Sequence, residues 1–499
     1  MAYDAGKPSD TQQVLIIGSG FAGLGMAIKL REAGIRDFTI LERGDSVGGT
    51  WRDNHYPGCA CDVQSHLYSF SFEPNPEWTR MFARQPEIRA YLEKCADKYD
   101  LRRHIVFGAN VQSARYDDAS STWTVGTADG RQHTARVLVS GMGGLSNPAM
   151  PNVKGLETFK GKAFHSAHWD HGYNLDGKRV AVIGTGASAI QFVPQIQKIA
   201  GRVDLYQRTA PWIMPKPDRA IGTIERAIYR RFPSLQQAYR SAIYLAMESR
   251  VLGFAINPKL MKLVEGIARR HIKQQIPDAA LRAKVTPDYT IGCKRILISN
   301  DYYPALTAPN VEVITDGIRE VRAHSIVDDH GVEREVDVII HGTGFKAQDP
   351  MPRGVVFGRG GVDLLDAWKD GPEAYLGLSV AGFPNFFMLV GPNTGLGHNS
   401  MVYMIESQIA YVMDALKTMQ SRKLKAVDVK PEAQVTFNAG IQGKLANTVW
   451  TTGCKSWYVD ANGKNTTLWP GFTFVYRGKT RRFPATQYTL VSATTTVAA

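Results

Sequence analysis

No apolar run in this 499-residue chain approaches the ~18 residues that a membrane-spanning helix needs. No signal-peptide core is present either. The opening "MAYDAGKPSDTQQ" is polar and reads as a loose tail, and the "VLII" that follows is stopped at once by glycine. Cysteine is scarce: Cys59, Cys61, Cys95, Cys293 and Cys454. An odd number, widely spaced in a long chain, argues against a secreted disulfide framework. Cys59 and Cys61 are one residue apart, which suits neither a C-x-x-C redox pair nor a zinc knuckle, so no metal site is expected. The five read as structural thiols in a reducing cytoplasm. Long runs of one charge are missing as well. The net charge is +13, yet Lys and Arg are scattered, at most in pairs such as Arg230-Arg231 and Arg269-Arg270. A solvated basic surface is expected, with no nucleic-acid partner. There is no low-complexity bulk, and the closing "SATTTVAA" reads as a frayed end.

What the chain does have is a globular composition, 44% hydrophobic and 21% charged, with 47 glycines. Its length suits two to four domains. "VLIIGSGFAGLGMAIKLREAG" is a short apolar strand, a glycine turn, and a helix closed by Gly34. Gly18, Gly20 and Gly23 fit G-x-G-x-x-G: two glycines for the turn and a pyrophosphate, one for close helix–strand packing. "FTILE" follows as a second strand ending in Glu42, a carboxylate suited to a ribose 2′-hydroxyl. "RVAVIGTGASAIQFV" repeats the design with Gly184, Gly186 and Ala189, and "VDLYQR" ends at Arg208. Glu42 and Arg208 stand at the same spacing from their first glycine. A carboxylate repels a 2′-phosphate, whereas a guanidinium pairs with it. The first unit is therefore read as the FAD site and the second as the NADPH site. Two dinucleotides suit a flavoprotein that takes hydride from NADPH.

The expected fold class is α/β, with two three-layer Rossmann-like dinucleotide-binding domains. "ARVLVSGMGG" (135–144) and "VDVIIHGTGF" (337–345) read as strands running into small-residue turns, where the chain crosses between the domains. The FAD-binding domain is split: residues 12–145 form its first part, and 342–499 its second part with a C-terminal substrate or lid segment. Residues 146–341 form the NADP-binding domain. Within it, about 220–285 interrupt the strand–helix alternation as a helical insertion. There Leu260, Leu263, Val264 and Ile267 recur at helical spacing, an apolar stripe expected to dock on the parent domain rather than on a membrane surface.

"GGTWRDNHYPGCACDVQSHLYSF" follows the first unit, where an FAD-dependent disulfide reductase would carry C-x-x-x-x-C. Tryptophan and C-A-C stand there instead, so electrons need another destination, and dioxygen is the candidate. Phe159, Gly161, His165, Trp169 and Asp170 then match F-x-G-x-x-x-H-x-x-x-W-(P/D). This resembles the fingerprint of type I Baeyer–Villiger monooxygenases, class B flavoproteins that use FAD and NADPH. Both glycine loops flank it in the family's order, and the resemblance covers about 12–480.

The resemblance implies that the fingerprint cluster lies by the interdomain linker and couples domain motion to catalysis. It implies Arg295 as the catalytic arginine and Asp62 as the carboxylate that orients it. For FAD it implies Gly18, Gly20, Phe21, Gly23, Glu42, Thr50, Trp51, Asp62, Tyr68, Val111 and Met401. The NADP set it implies is Gly184, Thr185, Gly186, Ser188, Ala189, Arg208, Thr209, Lys294, Arg295 and Trp457. Gly342 departs from the family, where many relatives have alanine. The implied reaction passes through a flavin C4a-peroxide and inserts one oxygen of dioxygen beside a ketone carbonyl, giving an ester or lactone. Sulfides are implied as further substrates, and an N- or S-oxygenating flavin monooxygenase is the alternative. The glycine-rich "GPNTGLGHN" and "DANGKN" are read as mobile lid pieces, and the protein as a cytoplasmic monomer or weak homo-oligomer.

Overall fold

The computed structural model describes residues 11–346, 352–454, 456–460 and 462–492. Strand β1 (Thr11–Ile17) leads through the glycine turn into helix α1 (Phe21–Glu32), then β2 (Phe38–Leu41). Strands β3 (Ile105–Val106), β4 (Val111–Asp117), β5 (Thr122–Thr127) and β6 (Gln132–Ser140) follow. β1 lies parallel between β2 and β6, with Ile16 beside Ile40 and Val139. β4 and β5 add to this sheet antiparallel. The apolar run Val14–Ile16 is fully buried, as a strand covered on both faces must be.

A second sheet starts at β7 (Lys162–His165) and continues with β8 (Arg179–Ile183), helix α2 (Ala189–Ile196) and β9 (Arg202–Tyr206). The strand pair β10 (Ile213–Met214) and β11 (Leu297–Ile298) brackets four helices: α3 (Thr223–Arg231), α4 (Pro233–Glu248), α5 (Met261–Gln275) and α6 (Ala279–Val285). With β12 (Val311–Ile314) and β13 (Val338–His341) the second sheet is all parallel, in the order β12–β9–β8–β13–β7. The chain then returns to the first sheet. β14 (Val356–Phe357) pairs with β4, and β15 (Phe386–Met388) with β6. The long helix α7 (Met401–Ser421) packs on α1, where a Cβ on Gly25 would stand 2.9 Å from Ile409. The architecture is α/β with two dinucleotide-binding sheets and a helical segment between β10 and β11.

Four expectations need correction. Thr11–Gln13 belong to β1 rather than to a loose tail, because Gln12 reaches across to Thr39; residues 1–10 and 493–499, with the expected frayed end, lie outside the described residues. Cys293 and Cys454 form a disulfide, with Cα atoms 6.2 Å apart across a separation of 161 residues; Cys59, Cys61 and Cys95 are buried free thiols. Linear spacing hid that proximity. Of the stripe only Val264 packs against the core; Leu260, Leu263 and Ile267 are exposed, and α5 is held chiefly by Met261, Ala268, His271 and Ile272. The loop 391–399, expected to be mobile, is tied down. Asn393 is buried and donates to the carbonyls of Asn465 and Leu468, and the Gly395 amide donates to that of Thr467.

Candidate active site

The first glycine turn is built by contact. Gly18 has φ +94°, and a Cβ there would stand 2.8 Å from the Gly141 carbonyl oxygen. A Cβ on Gly23 would lie 1.8 Å from the Gly18 carbonyl, so only glycine lets α1 start this close to β1. Gly20 caps α1, whose first turn carries Phe21. Glu42 stands just past β2 and is buried. Its carboxylate accepts from the Ser19 amide (2.9 Å) and hydroxyl (2.6 Å), the Gly44 amide (2.8 Å) and Arg52 (2.6 Å). Burial alone would raise its pKa, but these donors and the Arg52 charge outweigh burial and lower it. Sequence reasoning missed Ser19 and Arg52; the register that sets a residue one past a strand beside a loop 23 residues earlier is not visible in one dimension.

Thr50 and Trp51 open a short helix over Thr50–Asp53, and the Trp51 indole donates to the Tyr68 hydroxyl at 3.2 Å. Tyr68 also meets Phe21 edge-on at 5.1 Å, so Phe21, Trp51 and Tyr68 form one aromatic group beside the glycine turn. Val111 opens β4, and Met401 opens α7 behind its N-cap Ser400. Both therefore stand at element ends, one on the first sheet and one on the helix that packs on α1.

The second turn repeats the geometry with one exchange. Gly184 has φ +104°, and a Cβ there would stand 2.6 Å from the Gly342 carbonyl oxygen. Where the first loop pairs Gly23 with Gly141, the second pairs Ala189 with Gly342: a Cβ on residue 342 would be 3.2 Å from that of Ala189. The departure at Gly342 thus makes room for the alanine in the third loop position. Gly186 has only the distant Gly342 carbonyl near it, Ser188 caps α2, and the Thr185 hydroxyl donates to the Thr209 carbonyl at 3.1 Å. Arg208, two residues past β9, is exposed. Lys294 lies 4.6 Å from the centre of the Tyr289 ring, and its pKa is lowered, first by burial and then by the charge of Arg208. Two cations held near each other, neither in an ion pair among the described residues, fit an anionic group such as a 2′-phosphate.

The Arg295–Asp62 pair lies within charge range of Tyr68, in the aromatic group beside the first turn. The Arg295 Nε donates to Asp62 Oδ2 at 3.1 Å, and Nη2 donates to the same oxygen. Burial would raise the Asp62 carboxyl, but the charge and hydrogen bonds of Arg295 hold it below its ordinary value. The Asp62 charge in turn raises the guanidinium pKa against burial, so both partners are ionised. Three further residues belong to this place. Buried Tyr458 has its phenol pushed up to about 12 by burial, with the Arg295 charge pulling the other way. The Lys216 ammonium lies 5.0 Å from the Phe82 ring, its pKa lowered by burial against the pull of Asp218, Cys61 and Asp62. Gln191 on α2 accepts from the Tyr56 hydroxyl (2.9 Å) and donates to the Ala60 carbonyl (3.0 Å), joining the second sheet's first helix to the segment that carries Asp62. Trp457 is nearly half exposed and packs on Tyr458, three residues beyond the Cys454 half of the disulfide.

The fingerprint residues are spread along β7 and the turns on either side of it, Trp169 in the main core and Phe159 against a second one. His165 ends β7 beside His341 of β13, is buried, and accepts from the Ala167 amide at 3.1 Å. Burial lowers its pKa and favours the neutral ring. Trp169 is wedged against Phe164 and Phe192. Asp170 pairs with Lys162 at 2.5 Å. A Cβ on Gly161 would stand 2.5 Å from the Asp337 carbonyl oxygen and from the Phe159 ring.

Residues 11–353 match the flavin-binding monooxygenase-like family. A Baeyer–Villiger monooxygenase of Pseudomonas aeruginosa is 62% identical over 482 residues, covering 96% of this chain and 92% of that one. The chain belongs to the Baeyer–Villiger branch of the flavin-binding monooxygenase-like family. Among solved structures, a cyclohexanone monooxygenase from Rhodococcus bound to NADP+ superposes with a TM-score of 0.87 at 29% identity, covering 98% of this chain and 100% of that one. The OTEMO complex with FAD and NADP gives 0.87 at 28%, covering 96% and 99%. Among the described residues, no helix of this monooxygenase is long and apolar enough to cross a membrane.

Proposed function

We propose that this protein is an FAD- and NADPH-dependent Baeyer–Villiger monooxygenase that converts ketones to esters or lactones with one oxygen atom of dioxygen. The observation that carries the reading is the ionised Arg295–Asp62 pair, in a chain whose two glycine turns are followed by residues of opposite charge, Glu42 and Arg208. Bound FAD supplies electron transfer from NADPH and activation of dioxygen. The chain's residues do the rest. The turn at Gly18–Gly23 and Glu42 hold the flavin dinucleotide, while that at Gly184–Ala189 with Arg208, Thr209 and Lys294 holds NADPH. Asp62 aims the guanidinium by fixing its Nε edge, which leaves Nη1 to face the reacting oxygens. A fixed cation there favours deprotonated oxygen and meets the negative charge that develops as the carbonyl is attacked. Buried Tyr458 stands beside Arg295 and, with Trp457 packed on it, limits water there.

Residues 12–145 and 342–499 form the flavin half in this reading, 146–341 the NADP half, and the fingerprint strand β7 couples them. Sulfides are secondary substrates, and the enzyme works in the cytoplasm as a monomer or weak oligomer. The test is the purified yellow protein with NADPH, labelled dioxygen and a panel of linear, cyclic, aromatic and steroid ketones. One labelled oxygen per ester supports the reading. NADPH consumption that yields only peroxide across the panel refutes it.

A further inference from the structure

The helical segment between β10 and β11 shows solvent a surface that its own packing does not explain. Leu260, Leu263 and Ile267 follow each other at i, i+3 and i+7, one face of a helix. Leu263 is 72% and Ile267 52% exposed. Leu252 and Ile256, on the preceding turn, are exposed too. α5 is docked through its other side: Met261, Ala268 and Ile272 are buried, and the His271 ring bonds the Ser299 carbonyl at 3.1 Å. The stripe is therefore presented outward by a helix already anchored. Along one flank run Lys259, Lys262, Arg270 and Lys273, all exposed and none in an ion pair among the described residues. Glu265 is engaged by Arg269 at 2.8 Å.

We infer that this face docks on an anionic lipid bilayer. An outward apolar stripe edged by unpaired lysine and arginine is the arrangement of helices that lie in the membrane interface, with the aliphatic groups among acyl chains and the cations among headgroup phosphates. The same charges disfavour a second copy of the face as occupant, because a two-fold contact would set cation against cation. Docking here would bring the segment that leads to Arg295 close to the bilayer. The turn that exposes Leu252 and Ile256 also carries buried Phe254, which stacks on Trp450 at 6.0 Å and lies against Gly292, next to the disulfide and three residues before Arg295. The inference does not depend on the ketone reaction, since binding is scored without substrate.

The experiment is vesicle flotation of the FAD-loaded enzyme. One set of vesicles is pure phosphatidylcholine and the other is one-third phosphatidylglycerol. Binding to the anionic set is expected, with little to the neutral set and release when salt rises from about 0.1 M to about 1 M. Lys262→Glu with Lys273→Glu should weaken binding at least about tenfold. Leu263→Ser with Ile267→Ser should also weaken it although every cation remains, which separates insertion from mere adhesion of a basic protein. All four positions are exposed, so flavin content, melting temperature and turnover of a small water-soluble ketone should match the parent. The inference is overturned if the parent does not float with anionic vesicles. It is equally overturned if both double variants float as the parent does, or if sedimentation shows a dimer that Leu263→Ser/Ile267→Ser dissolves.

Discussion

Replacing Asp62 with Asn isolates the aiming of the arginine from its presence. The side chain keeps its shape and one oxygen, so Arg295 retains an acceptor, but the charge that most raises the guanidinium pKa is gone. Both hydrogen bonds end on one carboxylate oxygen, and a hydrogen bond to a charged partner contributes about 1.5–3 kcal/mol. Asp62 is 30% and Arg295 39% exposed at the side chain, which favours the lower half of that range. If that energy is expressed in the oxygen-transfer step, product formation should fall about 10- to 150-fold, nearer the lower figure. Reduction of the flavin by NADPH does not use the arginine as an oxyanion partner and should change less than about threefold. The assay measures three rates on one preparation: anaerobic flavin reduction, ester formation and hydrogen peroxide release. Asp62→Asn should reduce flavin normally, make little ester and release most of its reducing equivalents as peroxide. An unchanged ratio of ester to peroxide, or a flavin reduction rate that falls in step with ester formation, would refute the reasoning.

Three further outcomes follow from other contacts. Arg208→Ala should raise the NADPH KM about 10- to 150-fold, the loss of a charge-assisted bond to phosphate, with little change for NADH; equal changes for both coenzymes would remove Arg208 from the 2′-phosphate. Burial pushes the Asp428 carboxyl up to about 6, partly opposed by the Gly382 amide at 3.0 Å. With its folded pKa above the unfolded one, this group costs stability at pH 7, by up to about 3 kcal/mol, and the cost disappears as pH falls through 6 towards 4. Asp428→Asn should therefore melt higher than the parent at pH 7 and by a smaller margin at pH 5; a margin that does not shrink contradicts the assignment. Gly342→Ala should cost about 1 kcal/mol through its contact with Ala189, and adding Ala189→Gly should restore part of it, read as a non-zero coupling in a double-mutant cycle of melting temperatures.

The two sheets were legible because each starts from a local rule. Gly18, Gly23 and Gly184 stand where a side chain would strike backbone within 3 Å, and such positions show in sequence as glycines at fixed spacing. The sign contrast between Glu42 and Arg208 was equally local. What stayed hidden was whatever depends on distant strands meeting. Ser19 and Arg52 on the Glu42 carboxylate, Gln191 between the halves, and Tyr458 beside Arg295 come together only once the sheets are assembled. The stripe on α5 misled for a related reason. Periodicity shows that a helix has an apolar face, not that the rest of the chain supplies something to cover it. Here Met261 and Ile272 on another side do the docking.

The bond between Cys293 and Cys454 closes the intervening polypeptide into a covalent ring. That ring holds β11, β12 and β13, and with them the whole passage from one sheet back to the other. A protease that cuts once anywhere inside it would therefore release nothing. The nicked enzyme would run as one species on a denaturing gel until a thiol reagent is added, and only then fall into two pieces.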